Sequence, residues 1–267
     1  MYVLLKDLSN RVVIQRNENH ISYLQFKILN DLGVKHAYTL KNDGVNFRHS
    51  EENFKIELES YKKICNALAI DSKNITKPKQ NHTSNVKIID NTYAPEELEN
   101  IDGLITNKKN IILSTTNADC ILYLLFDRKK RVIGNIHSGW KGSYKKIIEA
   151  ALDKMINDFN CDPRDIIVCI CPSIRKCCFE VEKDVKDMFY EKFSYLENIN
   201  NYIFKKDNTN KYLIDTVGIN NCLIRKKGIP QENIYDCNIC SMCNKDIIHS
   251  YRAEGEGYKL ATAIITL

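Results

Sequence analysis

The chain has 267 residues, of which 43% are hydrophobic and 27% charged, so it can bury a large core, and disorder is excluded as its main state. Its 39 basic and 34 acidic residues give a net charge of +5 and are interleaved along the chain, which argues against a nucleic-acid partner. No apolar stretch approaches the roughly 20 residues of a membrane span, and Met1 to Arg11 lacks a signal-peptide layout, so we expect a cytoplasmic protein with reduced thiols and no membrane partner.

Hydrophobic periodicity then predicts the elements along the chain. A helix over 52–69 is indicated by the spacing of Phe54, Leu58, Tyr61, Ile64, Cys65 and Leu68. Strands follow at 86–89, 111–115, 121–126 and 132–136, then a helix over 147–159 and a strand at 166–170. Helices over 182–193, with Val185, Met188 and Phe189 inward, and over 216–227 precede a last strand at 259–266.

Strands and helices are interspersed in this order, and some neighbouring strands are close enough to form hairpins. The pattern predicts an α/β or α+β fold with mixed sheets. No linker rich in Pro, Gly or Ser and no internal repeat interrupts the sequence, so we expect a single domain over residues 1–267.

Two segments near the middle of the chain carry the strongest indication of function. Asn117-Ala118-Asp119-Cys120 precedes the strand at 121–126, and His137-Ser138-Gly139-Trp140-Lys141-Gly142 follows directly after the strand at 132–136. A charged turn, 127–131, separates these strands and predicts a hairpin. Cys120 and His137 are then expected at the same open end of that hairpin.

A further histidine, His82 in Lys79-Gln80-Asn81-His82, completes a possible metal site. Two imidazoles and a thiolate can bind Zn²⁺ or copper and leave one position open, as in catalytic sites. Alternatively, Cys120 is a nucleophile and one histidine is its base, or all three are ordinary interior residues. Asp119 either orients an imidazole or caps a turn.

Basic residues near these segments are candidates for binding an anion. Lys141 follows Gly139 at a strand-to-helix turn, where backbone N–H groups can hold a phosphate, although a turn capped by Ser143 is the simpler interpretation. Arg252 can bind a phosphate, a carboxylate or a purine edge through its two-pronged guanidinium, or it is a solvated surface residue.

The run Cys237, Cys240 and Cys243 has the C-x-x-C-x-x-C spacing of metal-binding loops but lacks a nearby fourth ligand. Cys177-Cys178 and the pair Cys169 and Cys171 are candidates for that ligand, yet none has C-x-x-C spacing. We therefore do not expect a structural metal here.

Several motifs in the same order resemble those of the multicopper polyphenol oxidase or laccase-domain family, also regarded as purine nucleoside phosphorylases. They are Gln80-Asn81-His82, Asp102-Gly103-Leu104-Ile105-Thr106, Thr116-Asn117-Ala118-Asp119-Cys120, His137-Ser138-Gly139-Trp140-Lys141-Gly142, Cys171-Pro172-Ser173-Ile174 with Cys178-Phe179-Glu180-Val181, and Cys240-Ser241-Met242-Cys243 with Ser250-Tyr251-Arg252. The resemblance runs from about Gly33 to Leu267.

The resemblance implies one domain with sheets between helices and a zinc or copper site at His82, Cys120 and His137. The implied activities are phosphorolysis of adenosine, inosine and S-methyl-5'-thioadenosine to a free base and a pentose 1-phosphate, together with adenosine deamination. The chain departs from the family pattern at Lys41, where the family has an arginine, and we expect Lys41 to bind substrate. It also departs at Arg175, Ile248-His249 and Tyr258-Lys259.

Two other functions remain open at this point. A copper-dependent phenol oxidase would need several coppers and many histidines, and the chain has 6. A metal-binding accessory protein without catalysis of its own is the third possibility.

Overall fold

A computed structural model describes residues 6–90 and 95–267, and the side chains of residues 97 onward in the second range. Part of the N-terminal segment considered for a signal peptide, residues 1–5, lies outside the described residues. The helices are α1 Lys27–Asp31, α2 Phe54–Ala67, α3 Trp140–Tyr144, α4 Ile147–Phe159, α5 Lys183–Phe193, α6 Thr216–Lys226 and α7 Tyr251–Glu254. Among the described residues, none of these helices has the length and apolar character needed to cross a membrane.

Fifteen strands form in the described part of the chain. They are β1 Val13–Glu18, β2 Ile21–Phe26, β3 Lys35–Thr39, β4 Ile75–Thr76, β5 Val86–Ile88, β6 Gly103–Thr106, β7 Ile112–Asn117, β8 Ile121–Asp127, β9 Val132–Ser138, β10 Ile166–Ile170, β11 Glu180–Val181, β12 Ile203–Lys205, β13 Tyr212–Ile214, β14 Ile234–Asp236 and β15 Ala261–Thr266.

Two mixed six-stranded sheets and one small antiparallel sheet result. Sheet 1 has the order β1-β2-β3-β15-β7-β4, and only its β4/β7 pair is parallel. Sheet 2 has the order β14-β10-β8-β9-β6-β5, with parallel pairs at its two edges. The third sheet is β11-β13-β12.

The two large sheets pack face to face between layers of helix. Leu122 and Leu124 of β8 lie in one apolar cluster with Leu113 of β7 and Ala263 of β15, so this cluster fills the space between the sheets. The opposite face of sheet 2 is covered by α4, α5 and α6, and that of sheet 1 by α2. Because β8 is covered on both faces, its sequence is apolar without alternation. The predicted mixed α/β fold is confirmed.

The predicted hairpin is confirmed as the pair of β8 and β9, whose register places Leu122 opposite His137 and Ile121 opposite Ser138. The other predicted strands and the four predicted helices also form, with ends that differ from the prediction by at most two residues. Sequence periodicity did not predict the N-terminal meander of β1, β2 and β3, the strand β6, or the small third sheet.

The predicted buried face of α2 is wrong at its N-terminal end. Phe54 and Leu58 are exposed, while Glu57 is buried and pairs with Lys77 and His49. This end of the helix borders a cavity rather than the sheet, and the ion pairs satisfy the buried carboxylate. In α5, Phe189 is buried as predicted, but Met188 is exposed.

Candidate active site

Two chain segments that pass from sheet 1 to sheet 2 carry the first two site residues. Cys120 lies between β7 and β8, and His82 lies between β4 and β5. The side-chain amide of Asn117 fixes the segment that carries Cys120 by donating to the carbonyls of Cys120 (2.5 Å) and Pro172 (3.1 Å). Asp119 and His82 both have positive φ, 86° and 56°, and such backbone conformations of non-glycine residues concentrate at functional sites.

His137 near the end of β9 completes the trio of His82, Cys120 and His137. Their ligand atoms all lie within 4.8 Å of one another, and the Cys120 sulfur is 3.7 Å from Nε2 of His82. The two imidazole rings meet edge to face with centroids 5.0 Å apart. Gly139 leaves the room for this approach, because a Cβ at that position would overlap the His82 ring. The sequence-predicted trio is therefore brought together.

Asp102 is the residue that orients this trio. From the sequence, Asp119 was a candidate for this role, with a turn cap as the alternative. Its fully buried carboxylate accepts from Nδ1 of His137 (2.7 Å) and from the backbone N–H groups of His82 (3.0 Å) and Thr83 (2.7 Å). Because Nδ1 is engaged by Asp102, Nε2 is the nitrogen of His137 that can bind a metal or a proton. The available indication in the sequence was the family motif Asp102-Gly103-Leu104-Ile105-Thr106, which Asp102 begins.

The electrostatics of the trio favour an ionised thiol. Burial raises the pKa of the Cys120 thiol, but the imidazoles of His137 and His82 outweigh burial and lower that pKa below its ordinary value. Burial lowers the pKa of His137, but Cys120 and Asp102 outweigh burial and raise that pKa to about 9. Burial raises the pKa of the Asp102 carboxyl, but its hydrogen bonds outweigh burial and lower that pKa to about 2. The site holds a thiolate facing imidazoles, which is the form in which cysteine binds metals or attacks as a nucleophile.

Asp119 binds the C-terminal loop instead of an imidazole. Its carboxylate accepts from the Ser241 hydroxyl (2.5 Å) and from the backbone N–H of Arg252 (2.7 Å). The guanidinium of Arg252 donates to the carbonyls of Cys178 (3.3 Å) and Glu180 (3.0 Å). These contacts set Arg252 in the wall of a cavity.

That cavity has a volume of about 1210 Å³ and includes the trio in its lining. This volume exceeds the ~300–1,000 Å³ of most small-molecule sites, so there is room for more than one small ligand. Aromatic side chains line it, namely Phe47, Phe54, Tyr61, Trp140, Phe179, Tyr251 and Tyr258. Purine rings stack on such side chains.

The cations of the cavity differ in how they are paired. Lys77, Lys79 and Lys211 each form an ion pair with a glutamate. Within the described residues, Arg48 and Arg252 have no carboxylate partner and donate to backbone carbonyls. An anion therefore gains most from the two arginines, because their charge is not yet neutralised by a carboxylate.

The other two basic candidates lie elsewhere. Lys41 pairs with Glu254 at 2.8 Å and donates to the Lys245 carbonyl, and Lys141 extends over the Trp140 ring; neither lysine lines the cavity. Ser143 does not cap the turn before α3, which begins without a side-chain cap. Its hydroxyl is hydrogen-bonded to that of Ser138.

Comparison with protein families gives a match to the model described as multi-copper polyphenol oxidoreductase laccase over residues 31–266. The chain belongs to this laccase family. The ordered motifs that suggested the resemblance all lie inside the matched range. Most of them contribute residues to the lining of the cavity beside His82, Cys120 and His137, whereas the motifs at 102–106 and 240–243 do not.

Several curated relatives of this laccase-family chain are named as purine nucleoside enzymes. A purine nucleoside phosphorylase of Clostridium acetobutylicum is 30% identical over 237 residues, covering 88% of this chain and 91% of the relative. Adenosine deaminase RL5 from an unknown prokaryotic organism is 28% identical over 195 residues, covering 70% and 73%. The mouse purine nucleoside phosphorylase LACC1 is 26% identical over 213 residues and covers 78% of the chain. The chain spans about half of the mouse and human relatives, 47% and 55% of their lengths.

Solved structures share the fold at low sequence identity. Protein YfiH of Bacillus licheniformis superposes with a TM-score of 0.85 at 22% identity, covering 95% of this chain and 98% of the other. YlmD of Geobacillus stearothermophilus gives 0.81 at 18% identity, covering 98% and 99%. These structures therefore share the fold of this chain.

Proposed function

We propose that this chain is a cytoplasmic purine nucleoside phosphorylase that also deaminates adenosine. The substrates are adenosine, inosine and S-methyl-5'-thioadenosine, with phosphate as the second substrate. The observation that carries this proposal is the His82, Cys120 and His137 trio in the lining of a cavity with aromatic walls and two arginines that have no carboxylate partner among the described residues. The names of the relatives support the same substrate class.

The trio fits a metal of the zinc or copper type. Its donor set is two imidazoles and one thiolate, and Asp102 fixes the ring of His137 in the orientation typical of metal-binding histidines. His82, Cys120 and His137 would hold the ion and leave a fourth position open. When bound, such an ion supplies Lewis-acid chemistry and can lower the pKa of water to about 7, as deamination of a purine ring requires.

The protein's own groups can bind and protonate the reactants of phosphorolysis. Phosphate attacks C1′ of the pentose, the bond from C1′ to the base nitrogen breaks, and the leaving base takes up a proton. When no ion occupies the trio, His82 or His137 can supply that proton within the cavity. Arg252 is positioned to hold the phosphate, and the exposed rings of Tyr251 and Phe54 can stack on the purine.

The test is turnover of nucleosides by the purified chain. Adenosine, inosine and S-methyl-5'-thioadenosine are each incubated with phosphate, and base, pentose 1-phosphate and inosine are separated by chromatography. We expect phosphate-dependent base release that Cys120→Ala abolishes and that Cys222→Ser leaves unchanged. Cys222 is a matched control because it is also a partly buried free thiol, but it lies outside the cavity. Absence of turnover of all three nucleosides by the unmodified chain contradicts the proposal.

The alternative functions predict different results in the same preparations. A copper-dependent phenol oxidase would consume oxygen with a phenol after copper is added, and it would leave nucleosides intact. A non-catalytic metal-binding protein would bind the ion through Cys120 without turnover of either substrate class. Trace nucleoside turnover that Cys120→Ala does not change would indicate a contaminating enzyme.

A further inference from the structure

Four cysteines from two distant segments converge away from the cavity. Cys177 and Cys178 lie between β10 and β11, and Cys240 and Cys243 lie between β14 and α7. All four sulfurs lie within 4.8 Å of one another, and the Cys243 sulfur is 3.7 Å from that of Cys177 and 3.5 Å from that of Cys178. None of them lines the cavity, and all are free thiols. We call these four residues the cysteine cluster.

The spacing in the cysteine cluster fits a metal better than a disulfide. A disulfide brings two sulfurs to about 2.05 Å, much closer than any pair measured here. Four thiolates at roughly 2.3 Å from a tetrahedral Zn²⁺ stand about 3.8 Å apart, close to the observed separations. We propose that Cys177, Cys178, Cys240 and Cys243 form a closed structural zinc site, separate from the trio and independent of the proposed nucleoside chemistry.

The loop that carries Cys240 is fixed by a backbone contact, and the ligand set of the cysteine cluster is selective. The loop is held in place by the N–H of Ser241, which donates to the carbonyl of Ser173 at 3.0 Å. Four soft sulfur ligands select Zn²⁺ over Mg²⁺ or Ca²⁺ and leave no open position for catalysis.

Cys237 is not part of the site, although it begins the C-x-x-C-x-x-C run. Its sulfur is buried and accepts from the guanidinium of Arg175 at 3.7 Å. The run thus provides two ligands, and the adjacent pair Cys177-Cys178 provides the other two. No structural metal was expected from the sequence, because the run lacks a nearby fourth ligand and Cys177-Cys178 does not have C-x-x-C spacing. The fold nevertheless brings the two pairs together.

The site would connect the two loops that position Arg252. The Cys178 carbonyl accepts from the Arg252 guanidinium, and Ser241, beside Cys240, donates to Asp119, which also accepts from the Arg252 N–H. Metal in the cysteine cluster would therefore hold together the wall of the cavity at which phosphate is proposed to bind.

The test measures metal in a protein that lacks the trio thiol. Cys120→Ala protein is purified under reducing conditions without chelator, and its metal content is measured by mass spectrometry. We expect about one zinc per chain, and on exchange for Co²⁺ the intense sulfur-to-cobalt absorption of a tetrahedral four-thiolate site. Adding Cys177→Ser and Cys243→Ser, two exposed positions, should remove both signals. Cys222→Ser and Cys237→Ser added in the same background should retain them.

Three results would overturn the inference. They are a Cys120→Ala protein without bound zinc and without the cobalt absorption, iron in place of zinc, or an intact mass lower by two hydrogens that reveals a disulfide in the cysteine cluster. The cobalt titration uses no variant of the cluster, so it decides the matter even if the serine variants fail to fold. Loss of nucleoside turnover alone would concern the trio and leaves these metal measurements unaffected.

Discussion

Asp102→Asn tests whether one buried carboxylate organises the trio. One carboxylate oxygen accepts from Nδ1 of His137 (2.7 Å) and from the N–H of His82 (3.0 Å). The other accepts from the N–H and the hydroxyl of Thr83, both at 2.7 Å. An amide has the same shape but only one acceptor oxygen. If that oxygen stays on the Thr83 side, the NH₂ group faces two N–H donors.

The expected damage follows from that mismatch. His137 can meet the NH₂ group only by moving its proton from Nδ1 to Nε2, which removes the lone pair that faces the site. We expect metal affinity and nucleoside turnover to fall by about 10–100-fold, the usual cost of losing the partner of a metal-binding histidine. The His82 N–H loses its acceptor, which lowers the free energy of unfolding by about 1–3 kcal/mol.

Metal affinity is measured by competition with a coloured chelator, turnover by base release, and the free energy of unfolding by urea titration. Asp127→Asn is the matched control, because Asp127 is also fully buried but lies at the opposite end of β8. It should lose stability and keep metal affinity and turnover. If Asp102→Asn binds metal and turns over nucleosides within twofold of the unmodified chain, the orienting role of Asp102 is refuted.

Three further changes have expected outcomes. Burial lowers the pKa of His36 to about 4 from 6.5. The stabilisation by neutral His36 is therefore present above pH 6.5, and the free energy of unfolding falls by about 3 kcal/mol in total as the pH falls to 4. Urea titrations across this range should show a smaller fall in His36→Gln. Gly139→Ala should reduce metal binding and turnover at least tenfold, because the new Cβ overlaps His82, whereas Gly257→Ala adds a Cβ in open space and should change neither. Arg252→Lys should raise the KM for phosphate by about tenfold with a smaller change in kcat, since lysine loses the two-pronged contact; an unchanged KM for phosphate would remove Arg252 from the phosphate site.

The residues differ in how much the sequence indicates about them. The β8/β9 hairpin is predictable because two apolar runs flank a charged turn, and with it the meeting of Cys120 and His137. The role of Asp102 is not predictable from spacing, since it arises only when the segment that contains His82 and Thr83 folds around the carboxylate.

Elements with few apolar residues were also missed. β1 runs from Val13 to Glu18 and is mostly polar, so its pairing with β2 depends on register rather than on hydrophobic pattern. Glu57 lies outside the apolar pattern that predicted α2, but a cavity with Lys77 beside it makes burial of the carboxylate possible. Convergence of Cys177 and Cys178 with Cys240 similarly depends on the bridge between Ser173 and Cys240, which joins positions 67 residues apart in the sequence.

Two of the chain's crossings between sheet 1 and sheet 2, one with His82 and the other with Cys120, join the sheets at the trio itself. Sliding of one sheet over the other is resisted most where the chain connects them covalently, so the distances among the three side chains should stay nearly constant during breathing motions of the sandwich. Motion that admits a substrate is then confined to the rim, where Phe54 and Tyr251 are exposed. The fold thereby separates a rigid chemical centre from an adaptable entrance, and substitutions at the rim can change substrate choice without disturbing the centre.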